Sequence, residues 1–329
     1  MKLKTTVQVT VHASQYPESV QLELARCLRA RQIAPKFLYQ SYKQSEKWLA
    51  LHKAWSPAQT DPDCAAIYDR AFAAAAGTCA GRRWRLIALG CGGGQKEARL
   101  LRALAARPKE LSYSPCDVSL ALVLTALREA SGAAPGAPCH PLLCDLASAG
   151  DLPAVFDQLD SRGVRRLFTF FGMIPNFEPD NIMPRLASLA RPGDLLLFSA
   201  NLAPGADYAA GMRRILPGYD NAETRDWLLT FLFDLGVEPK DGHLEFSIEQ
   251  ARGMKRVAAD FHFRRARSVS LQGERFDFPA GQAVRLFFSY RYTPRTVGRL
   301  LRAHQFAPLG QWIARSGEEG VWLCRKNAR

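Results

Sequence analysis

An apolar run that ends in a glycine cluster constrains the fold of this chain more than any other feature. Residues 85–89 read Arg-Leu-Ile-Ala-Leu, residues 90–94 read Gly-Cys-Gly-Gly-Gly, and a helix-like segment follows from Gln95 to Ala106. This order predicts a buried strand, a tight turn and an amphipathic helix. Glycines let a turn adopt positive φ and approach a ligand closely, and the free N–H groups at a helix start favour electron-rich atoms. The segment is therefore typical of a turn that binds a nucleotide-like ligand.

The length and composition allow one large domain or two of moderate size. The chain has 329 residues, of which 47% are hydrophobic, and no apolar stretch approaches the roughly 18 residues that span a bilayer. The segment from Met1 to Gln8 lacks the apolar core of a signal peptide. We expect a globular cytoplasmic protein without a membrane partner, while the sequence leaves its oligomeric state open.

Cysteine spacing and charge distribution argue against two classes of protein. The eight cysteines form no C-x-x-C pair and no cysteine–histidine group at zinc spacing, so we expect buried, reduced thiols and no metal site. The formal net charge of +13 would suit a nucleic-acid partner. However, the densest basic groups are short pairs such as Arg82-Arg83, without interleaved aromatic residues. This spread argues against nucleic acid as the substrate.

The pattern after the glycine turn alternates between strand-like and helix-like segments. Strands are predicted at 111–116, 140–144, 164–171 and 194–199, helices at 120–131, 180–189 and 294–304, and a hairpin at 310–315 and 320–325. Such alternation predicts an α/β fold with a doubly wound parallel sheet, and the hairpin predicts an antiparallel end.

The remaining segments do not continue this alternation. Helix-like patterns at 209–216 and 223–235 are followed by β-like patterns at 256–263, 268–271 and 283–292. The first sixty residues, mostly helical from Pro17, precede the first predicted parallel strand. We therefore predict a discontinuous α+β substrate-binding lobe of residues 1–62 and 205–292, beside a Rossmann-like domain of residues 63–204 and 293–329.

Two aspartates at the ends of neighbouring predicted strands indicate which ligand the turn binds. Asp117 follows the second strand, where a carboxylate can accept hydrogen bonds from both ribose hydroxyls, and Asp145 follows the third, where an adenine ring would lie. Alone, each aspartate is also typical of a helix N-cap. Gln95 stands where a dinucleotide motif would have its third glycine. Together with the antiparallel sheet end, this pattern describes a class I methyltransferase that uses S-adenosylmethionine (SAM).

The turn itself supplies the other predicted cofactor-binding residues. We expect Gly90, Cys91 and Gly92 to contact the donor and Lys96 to reach its carboxylate. Ala88 stands where such enzymes often carry an acidic residue, two positions before the first glycine. The donor must therefore be held by other groups.

Seven short motifs together resemble one family, the histidine-specific N-alpha-methyltransferases of ergothioneine biosynthesis and their fungal relatives that methylate prenylated tryptophan. The motifs lie at 35–39, 89–92 with Lys96, 116–119, 171–177, 193–197, 218–220 and 288–292. The order and spacing of these motifs agree with those of the family over most of the chain. The resemblance implies a free amino acid bound between two lobes, with its α-amino group facing the methyl group of the donor.

The resemblance also implies roles for individual residues. Asn176 and Tyr219 would hold the substrate carboxylate, and Tyr39 would lie near Asn176 or the amine, so Tyr39 and Asn176 are the predicted catalytic residues. Amide and phenol groups suit a zwitterionic head group because they orient it without adding charges that must be desolvated.

The side-chain pocket departs from the family pattern. The histidine enzymes carry a glutamate that holds the imidazole two residues before the serine of the last motif, Ser289 here, and this chain has Phe287 at that position. A second pocket position falls near Phe261. An imidazole without its polar partner loses roughly 1–3 kcal/mol, so these residues favour an apolar or aromatic substrate side chain. The alternative is that both phenylalanines are strand-core residues.

The sequence therefore predicts a SAM-dependent N-methyltransferase that acts on the α-amino group of a free amino acid or close derivative. The neutral amine would attack the methyl group in line, while the enzyme supplies orientation and excludes water. The resemblance implies repeated methylation up to a trimethylated betaine, a cation that aromatic rings can hold. Two alternatives stay open: an RNA or protein methyltransferase, suggested by the basic charge, and a non-catalytic binding protein with the same fold.

Overall fold

The structure is a computed structural model that describes residues 6–105, 107–161 and 163–328. The predicted helix end at Ala106 lies outside these residues. The described chain contains thirteen strands: β1 (Thr10–Val11), β2 (Arg83–Leu89), β3 (Glu110–Asp117), β4 (Leu142–Leu143), β5 (Arg165–Phe170), β6 (Leu195–Asn201), β7 (Gly242–Ala251), β8 (Met254–Phe263), β9 (Arg267–Leu271), β10 (Glu274–Phe278), β11 (Ala283–Arg291), β12 (Phe306–Ile313) and β13 (Glu319–Lys326).

Eleven α-helices connect and flank these strands in the described part of the chain. They are α1 (Pro17–Ala30), α2 (Tyr42–Trp55), α3 (Pro57–Thr60), α4 (Pro62–Thr78), α5 (Gln95–Leu104), α6 (Leu120–Ala133), α7 (Leu152–Leu159), α8 (Pro179–Leu189), α9 (Tyr208–Ile215), α10 (Ala222–Asp234) and α11 (Pro294–Ala303). Short 3-10 turns lie at Ala13–Gln15, Pro35–Leu38, Ile174–Asn176, Leu216–Gly218 and Pro239–Asp241. No helix among the described residues is both long and apolar enough to cross a bilayer.

Eight strands form the main sheet, in the order β1-β4-β3-β2-β5-β6-β13-β12. Strands β1 to β6 pair in parallel, whereas β13 runs antiparallel to both β6 and β12. The predicted α/β sheet with an antiparallel end is thus confirmed. One detail of the prediction was wrong, since the first parallel strand is β1 and not β2. Two residues at the sheet edge, Thr10 and Val11, are too few to produce a recognisable pattern.

The central strands are buried on both faces of the main sheet. Every residue of β2 after Arg83 is buried, as the covering helices of a parallel sheet require. One apolar core packs α4, α5 and α6 against one face, and a second core packs α7, α8 and α11 against the other. The sheet is therefore a rigid platform whose strand ends can position ligand-binding groups.

A second antiparallel sheet has the order β11-β8-β7, and β9 pairs with β10 beside it. Its apolar core includes α1 and α10, so residues from both predicted segments of the substrate-binding lobe share one core. The exact division of the chain into a substrate-binding lobe (1–62 and 205–292) and a Rossmann-like domain (63–204 and 293–329) stays a prediction. Strand β1 nevertheless belongs to the main sheet.

Strand β11 carries a β-bulge between Arg285 and Phe287. Bulges often occur next to binding sites because they redirect the following side chains. Beyond the bulge, Phe287, Ser289 and Arg291 alternate along the strand and all face one cavity. This strand therefore presents three side chains to the space above the main sheet.

Candidate active site

A cavity of about 390 Å³ lies at the carboxyl ends of the parallel strands and reaches β11. Ligands of open α/β sheets bind at this edge. All predicted site residues except one line the cavity: Tyr39, Gly90, Cys91, Gly92, Lys96, Asp117, Asp145, Asn176, Tyr219, Phe287 and Ser289. The fold thus brings the predicted donor and acceptor residues to a single space.

Asp117 is a buried carboxylate without a cationic partner among the described residues. It ends β3, and its Oδ2 accepts a 3.0 Å hydrogen bond from the N–H of Gly92, while its Oδ1 accepts one of 3.1 Å from the N–H of Ser119. Burial raises its pKa to about 6, although these backbone donors oppose the shift. Its remaining lone pairs can accept hydrogen bonds from a vicinal diol such as that of ribose.

Asp145 lies at the end of the cavity next to β4. Its Oδ1 accepts a 2.8 Å hydrogen bond from the N–H of Ala147, and its Oδ2 lies 3.1 Å from Nζ of the buried Lys36. Lys36 also contacts Glu23. Asp145 is thus held in place by neighbours on both sides, at the position predicted to face an adenine ring.

The glycine turn has the backbone conformation that its sequence predicts. Gly90, Gly92 and Gly94 have φ values of 67°, 50° and 74°, which L side chains rarely adopt. A Cβ on Gly92 would lie 2.8 Å from the ring of Trp48. The thiol of Cys91 lies 4.0 Å from Oδ2 of Asp117, and burial holds the pKa of this thiol well above its usual range. Trp48 therefore packs closely on the turn, and the Cys91 thiol within the turn is neutral.

Lys96 hydrogen-bonds within a cluster of three buried or half-buried polar residues. The sequence predicted a role for Lys96 but not for its partners Tyr68 and Glu319. Nζ of Lys96 donates a 3.0 Å hydrogen bond to the phenol oxygen of Tyr68, which in turn donates to Oε1 of Glu319. Burial, followed by the charge of Glu319, holds the pKa of Tyr68 well above its usual value. Lys96 and Glu319 both line the cavity, so opposite charges are presented near the glycine turn.

Two ring systems of α2 cover the same end of the cavity. His52 stacks on Trp48 with a centroid distance of 5.0 Å. Burial and the charge of Lys96 lower the pKa of His52 to about 3, so its imidazole is neutral near pH 7. Such a weakly basic group is a poor proton acceptor for an ammonium group.

Tyr39, a predicted acceptor-site residue, lies between two tryptophans and lines the cavity. Its ring is 5.6 Å from that of Trp48 and 5.3 Å from that of Trp227. Burial and the nearby charge of Asp117 raise the pKa of Tyr39, so the phenol keeps its proton. No hydrogen bond joins Tyr39 to Asn176 in the described structure, although both line the cavity.

Asn176 is fixed by one hydrogen bond to β11. It ends the short helical turn after β5, and its Nδ2 donates a 2.7 Å hydrogen bond to the carbonyl of Phe288. This contact orients the amide. Its Oδ1 bonds to no other described residue and remains an acceptor for a ligand N–H.

A polar group of three residues lies at the predicted acceptor end of the cavity. The hydroxyl oxygens of Tyr219 and Ser289 are 2.7 Å apart, and Nε of Arg291 donates a 3.1 Å hydrogen bond to the Tyr219 oxygen. Arg291 was missed in the sequence, although its spacing of two residues from Ser289 on a strand predicts the same face. The group can bind an anion by combining a buried guanidinium with two hydroxyls.

Aromatic rings form the wall beyond this polar group. Phe287 lies with its ring centroid 6.1 Å from that of Tyr219 and 6.0 Å from that of Trp227. The prediction for Phe261 was wrong, because this side chain is buried in the core of the second sheet and packs on Phe263 with a centroid distance of 5.0 Å. Its position on the buried face of β8 keeps it out of the cavity.

The fold and the cavity define a class I SAM-dependent methyltransferase. The parallel sheet with an antiparallel end, the glycine turn and the unpaired carboxylate of Asp117 all fit the donor, since they supply a close backbone approach and an acceptor for ribose hydroxyls. A family model described as "Histidine-specific methyltransferase, SAM-dependent" matches residues 20–326. The chain belongs to this family.

A curated relative supports the assignment. A histidine N-alpha-methyltransferase from Mycobacterium tuberculosis (strain CDC 1551 / Oshkosh) is 28% identical over 264 residues, which cover 73% of this chain and 75% of the relative. The predicted family, fold class, enzyme class and donor are thereby confirmed.

Solved structures are similar at a greater distance. A protein from Thermobifida fusca YX, classed as a methyltransferase, has a TM-score of 0.49 and 10% identity over 92% of this chain and 97% of its own. The 1,6-didemethyltoxoflavin-N1-methyltransferase of Burkholderia thailandensis has a TM-score of 0.42 and 13% identity over 86% and 87%. Both scores are below 0.5, and the family assignment rests on the sequence matches.

Proposed function

We propose that this enzyme methylates the α-amino group of a free amino acid that has an aromatic or large apolar side chain. The observation that carries the proposal is the arrangement of Tyr219, Ser289 and Arg291 beside the aromatic wall of Phe287, in the same cavity as the donor residues. An anion-binding group next to an apolar surface matches the carboxylate and side chain of such an acceptor.

The guanidinium of Arg291 provides the main attraction for a carboxylate. It is only 8% exposed, and its hydrogen bonds go to the Tyr219 hydroxyl and to the carbonyls of Leu202 and Glu318. No carboxylate side chain pairs with it among the described residues. A buried cation without an anion is costly, so an acceptor carboxylate would supply the missing charge. Because Tyr219 accepts from Arg291, its own O–H can donate either to Ser289 or to an acceptor carboxylate.

Asn176 is placed to orient the amine. One N–H of its Nδ2 donates to the carbonyl of Phe288, so its Oδ1 would accept a hydrogen bond from the α-amino group and its second N–H would be left for the substrate carboxylate. The bound donor supplies an electrophilic methyl group. A protonated amine cannot attack it, so the amine must lose a proton first, and this side-chain contact then holds the neutral nitrogen in line.

The aromatic wall would decide which side chain is accepted. Phe287 and Trp227 offer ring faces and edges but no carboxylate, and an imidazole deprived of a polar partner loses roughly 1–3 kcal/mol, or about 5- to 150-fold in affinity. Aromatic side chains instead gain from edge-to-face contacts with such rings. Histidine, the substrate in the name of the Mycobacterium tuberculosis relative, is therefore the reference acceptor against which to compare.

We also propose that methylation continues to the quaternary ammonium. The ring of Tyr39, between Trp48 and Trp227, offers π-faces to the cavity that Asn176 also lines. Such faces attract cations by cation–π interaction. Partly methylated intermediates would therefore stay bound rather than be repelled.

A single survey tests the proposal. The enzyme is incubated with isotope-labelled SAM and each of the twenty amino acids, and product masses reveal how many methyl groups are added. We expect the highest kcat/KM for phenylalanine, tyrosine, tryptophan or leucine, with products up to three methyl groups heavier. A clear preference for histidine would contradict the proposed role of Phe287. Label found only in RNA or protein would contradict amino-acid methylation.

A further inference from the structure

A second cavity lies at the edge of the main sheet opposite the active site. It has a volume of about 660 Å³, and Arg83 at the start of β2 and Arg165 at the start of β5 both line it. Strand β2 is seven residues long, so about 20 Å separate this edge from the carboxyl ends of the strands. A ligand in this second cavity, the amino-edge groove, would therefore touch neither the donor nor the acceptor.

Positive charge dominates the amino-edge groove. The cationic side chains that line it are Arg82, Arg83, Lys109, Arg165 and Arg191. Asp194 is the one carboxylate among the described lining residues, and it is buried and accepts hydrogen bonds from two backbone N–H groups. Arg191 lies 2.6 Å from a carboxylate oxygen of Asp157, and Arg83 lies 3.2 Å from one of Glu110. The Arg83 pair is exposed, and such pairs contribute little. The groove therefore keeps an excess of positive charge.

Arg82, Lys109 and Arg165 form no ion pair in the part of the chain that the structure describes. Arg82 and Lys109 are exposed, whereas Arg165 is half-buried. The guanidinium of Arg165 lies over Gly193, which has φ 87°, and a Cβ on this glycine would overlap Nη1 of the arginine. Glycine thus makes room for a guanidinium at the wall of the groove. A partly buried cation without a counterion is costly, so an anion in the groove would stabilise it.

The cations follow the order of the strands across the sheet. Strands β3, β2, β5 and β6 are adjacent in that order. Lys109 directly precedes β3, Arg83 begins β2 and Arg165 begins β5. Arg191 lies in the turn before β6. Neighbouring strands are about 4.8 Å apart, so the four strand starts span about 14 Å. Such a row of charges is complementary to a chain of linked anions and not to a single ion.

The types of side chain in the groove indicate which anion it takes. Guanidinium groups bind phosphate oxygens through paired hydrogen bonds. No aromatic side chain is among the described lining residues, so a nucleic-acid base finds no ring on which to stack. The apolar side chains of the lining are those of Val164 and Pro192, and neither is a large anchor of the kind that protein partners use. Phosphate groups without bases fit these features better than a nucleic acid or an acidic protein does.

We propose that the amino-edge groove binds a chain of linked phosphate groups, such as an inorganic oligophosphate. The arginines bind the phosphate oxygens through their guanidinium groups, and Lys109 supplies a further positive charge at one end of the row. This site is separate from the active site, so its occupancy does not depend on which acceptor is methylated.

Calorimetric titration of the full chain with sodium tripolyphosphate tests the proposal. The titration is run at about 0.15 M salt, where attraction between exposed charges is screened beyond about 8 Å. We expect tripolyphosphate to bind about tenfold or more tightly than inorganic phosphate, because several cations are engaged at once. Poly-glutamate and a single-stranded RNA oligonucleotide represent the other polyanions. If either one competes with tripolyphosphate and binds more tightly, the groove takes another polyanion and the proposal is overturned.

Replacing Arg82 and Lys109 together by glutamine removes charge from the groove. Both side chains are exposed and unpaired among the described residues, so the fold should persist, and unchanged affinity for S-adenosylhomocysteine would report this. Affinity for tripolyphosphate should fall about tenfold or more, since hydrogen bonds to a charged ligand are lost.

Arg295→Gln together with Arg299→Gln is the matched control. These two arginines are also exposed and lie on α11, which does not line the groove. The control removes the same total charge and should bind tripolyphosphate like the wild type. Equal weakening by the two double variants would mean attraction to net charge alone and would overturn the proposal. So would a wild-type affinity for tripolyphosphate no greater than that for inorganic phosphate.

Discussion

The ring of Phe287 meets the ring of Trp227 nearly edge-on, at 72° and with a centroid distance of 6.0 Å. The contact joins the strand after the β-bulge to helix α10. These two rings line the predicted acceptor end of the cavity, and no carboxylate of the described residues replaces Phe287 at its position on β11.

Replacing Phe287 by glutamate should move the enzyme towards histidine. A carboxylate at this position restores the polar partner that the family pattern implies, and a hydrogen bond to a charged group contributes about 1.5–3 kcal/mol. We expect kcat/KM for histidine to rise about tenfold or more relative to phenylalanine. Steady-state kinetics with both acceptors measure the ratio. Phe287→Leu is the control, since it changes shape but adds no polar group, and an equal loss for both acceptors in Phe287→Glu would contradict the assignment.

Replacing Arg291 by methionine should abolish recognition of the acceptor carboxylate. The wild type is expected to favour an amino acid over its primary amide by about tenfold or more, because a charged hydrogen bond is lost with the amide. In Arg291→Met this ratio should approach one, whereas Arg291→Lys should retain part of it. Affinity for S-adenosylhomocysteine reports whether each variant keeps its donor site. A ratio that survives in Arg291→Met would mean that the carboxylate binds elsewhere.

Donor affinity should fall as the pH is lowered through 6. Burial raises the pKa of Asp117 to about 6, and its charged form is the better acceptor for ribose hydroxyls. The stability of the free protein should change in the opposite direction. Because the pKa of Asp117 is higher in the folded state than in the unfolded state, the protonated carboxyl stabilises the fold below the unfolded pKa near 4, and this contribution is lost as the pH rises through about 6. Ligand binding and stability should therefore respond to Asp117 in opposite directions between pH 4 and 6.

Titration of S-adenosylhomocysteine from pH 5 to 8 measures this effect. Asp117→Asn should bind more weakly at pH 8 and lose most of the dependence around pH 6. Glu97 also titrates in this range, since burial raises its pKa to about 7. A Glu97→Gln variant should therefore keep the decline near pH 6. Identical profiles for the wild type and Asp117→Asn would rule out Asp117 as the group responsible.

Gly94→Ala should destabilise the whole donor site. Gly94 has φ 74°, and a Cβ there would lie 2.6 Å from Cα of Ala126 in α6, so backbone strain and overpacking together reduce the free energy of unfolding by about 2 kcal/mol or more. Equilibrium urea denaturation measures the loss. Gly77→Ala provides the control, because its Cβ would meet nothing within 4 Å inside α4. That variant should be neutral or stabilised by up to about 1 kcal/mol.

The donor half of the site was accessible from the sequence because its signals are local. The glycine turn, Asp117 and Asp145 each stand at the end of a strand-like run, and parallel strand ends meet at one edge. The strands β7 and β10 were missed although their signals are also local. Residues 244–249 of β7 read Leu-Glu-Phe-Ser-Ile-Glu, which is the apolar–polar alternation of a half-buried strand.

The acceptor half required contacts between distant segments. Arg291 looks like an ordinary polar strand residue, and only its burial against Tyr219 shows its role. Glu319, which lies near the glycine turn, is likewise revealed only by its contact with Tyr68. The prediction that Phe261 lines the pocket was wrong because a strand has two faces. Which face of β8 is buried depends on the helices that pack against the second sheet, and the sequence of the strand alone does not show this. Phe287 could be predicted since the family motif fixes its spacing from Ser289.

The side chains that follow the β-bulge in β11 also suggest how the substrate preference of this enzyme could change during evolution. Residues four apart on a strand are separated by about 13 Å, so Phe287 and Arg291 would contact different parts of an acceptor although one strand carries both. Under the proposed roles, one substitution at Phe287 would change which side chain is accepted, while Arg291 would still bind the carboxylate. A new substrate would then arise in one evolutionary step, with methyl transfer retained throughout.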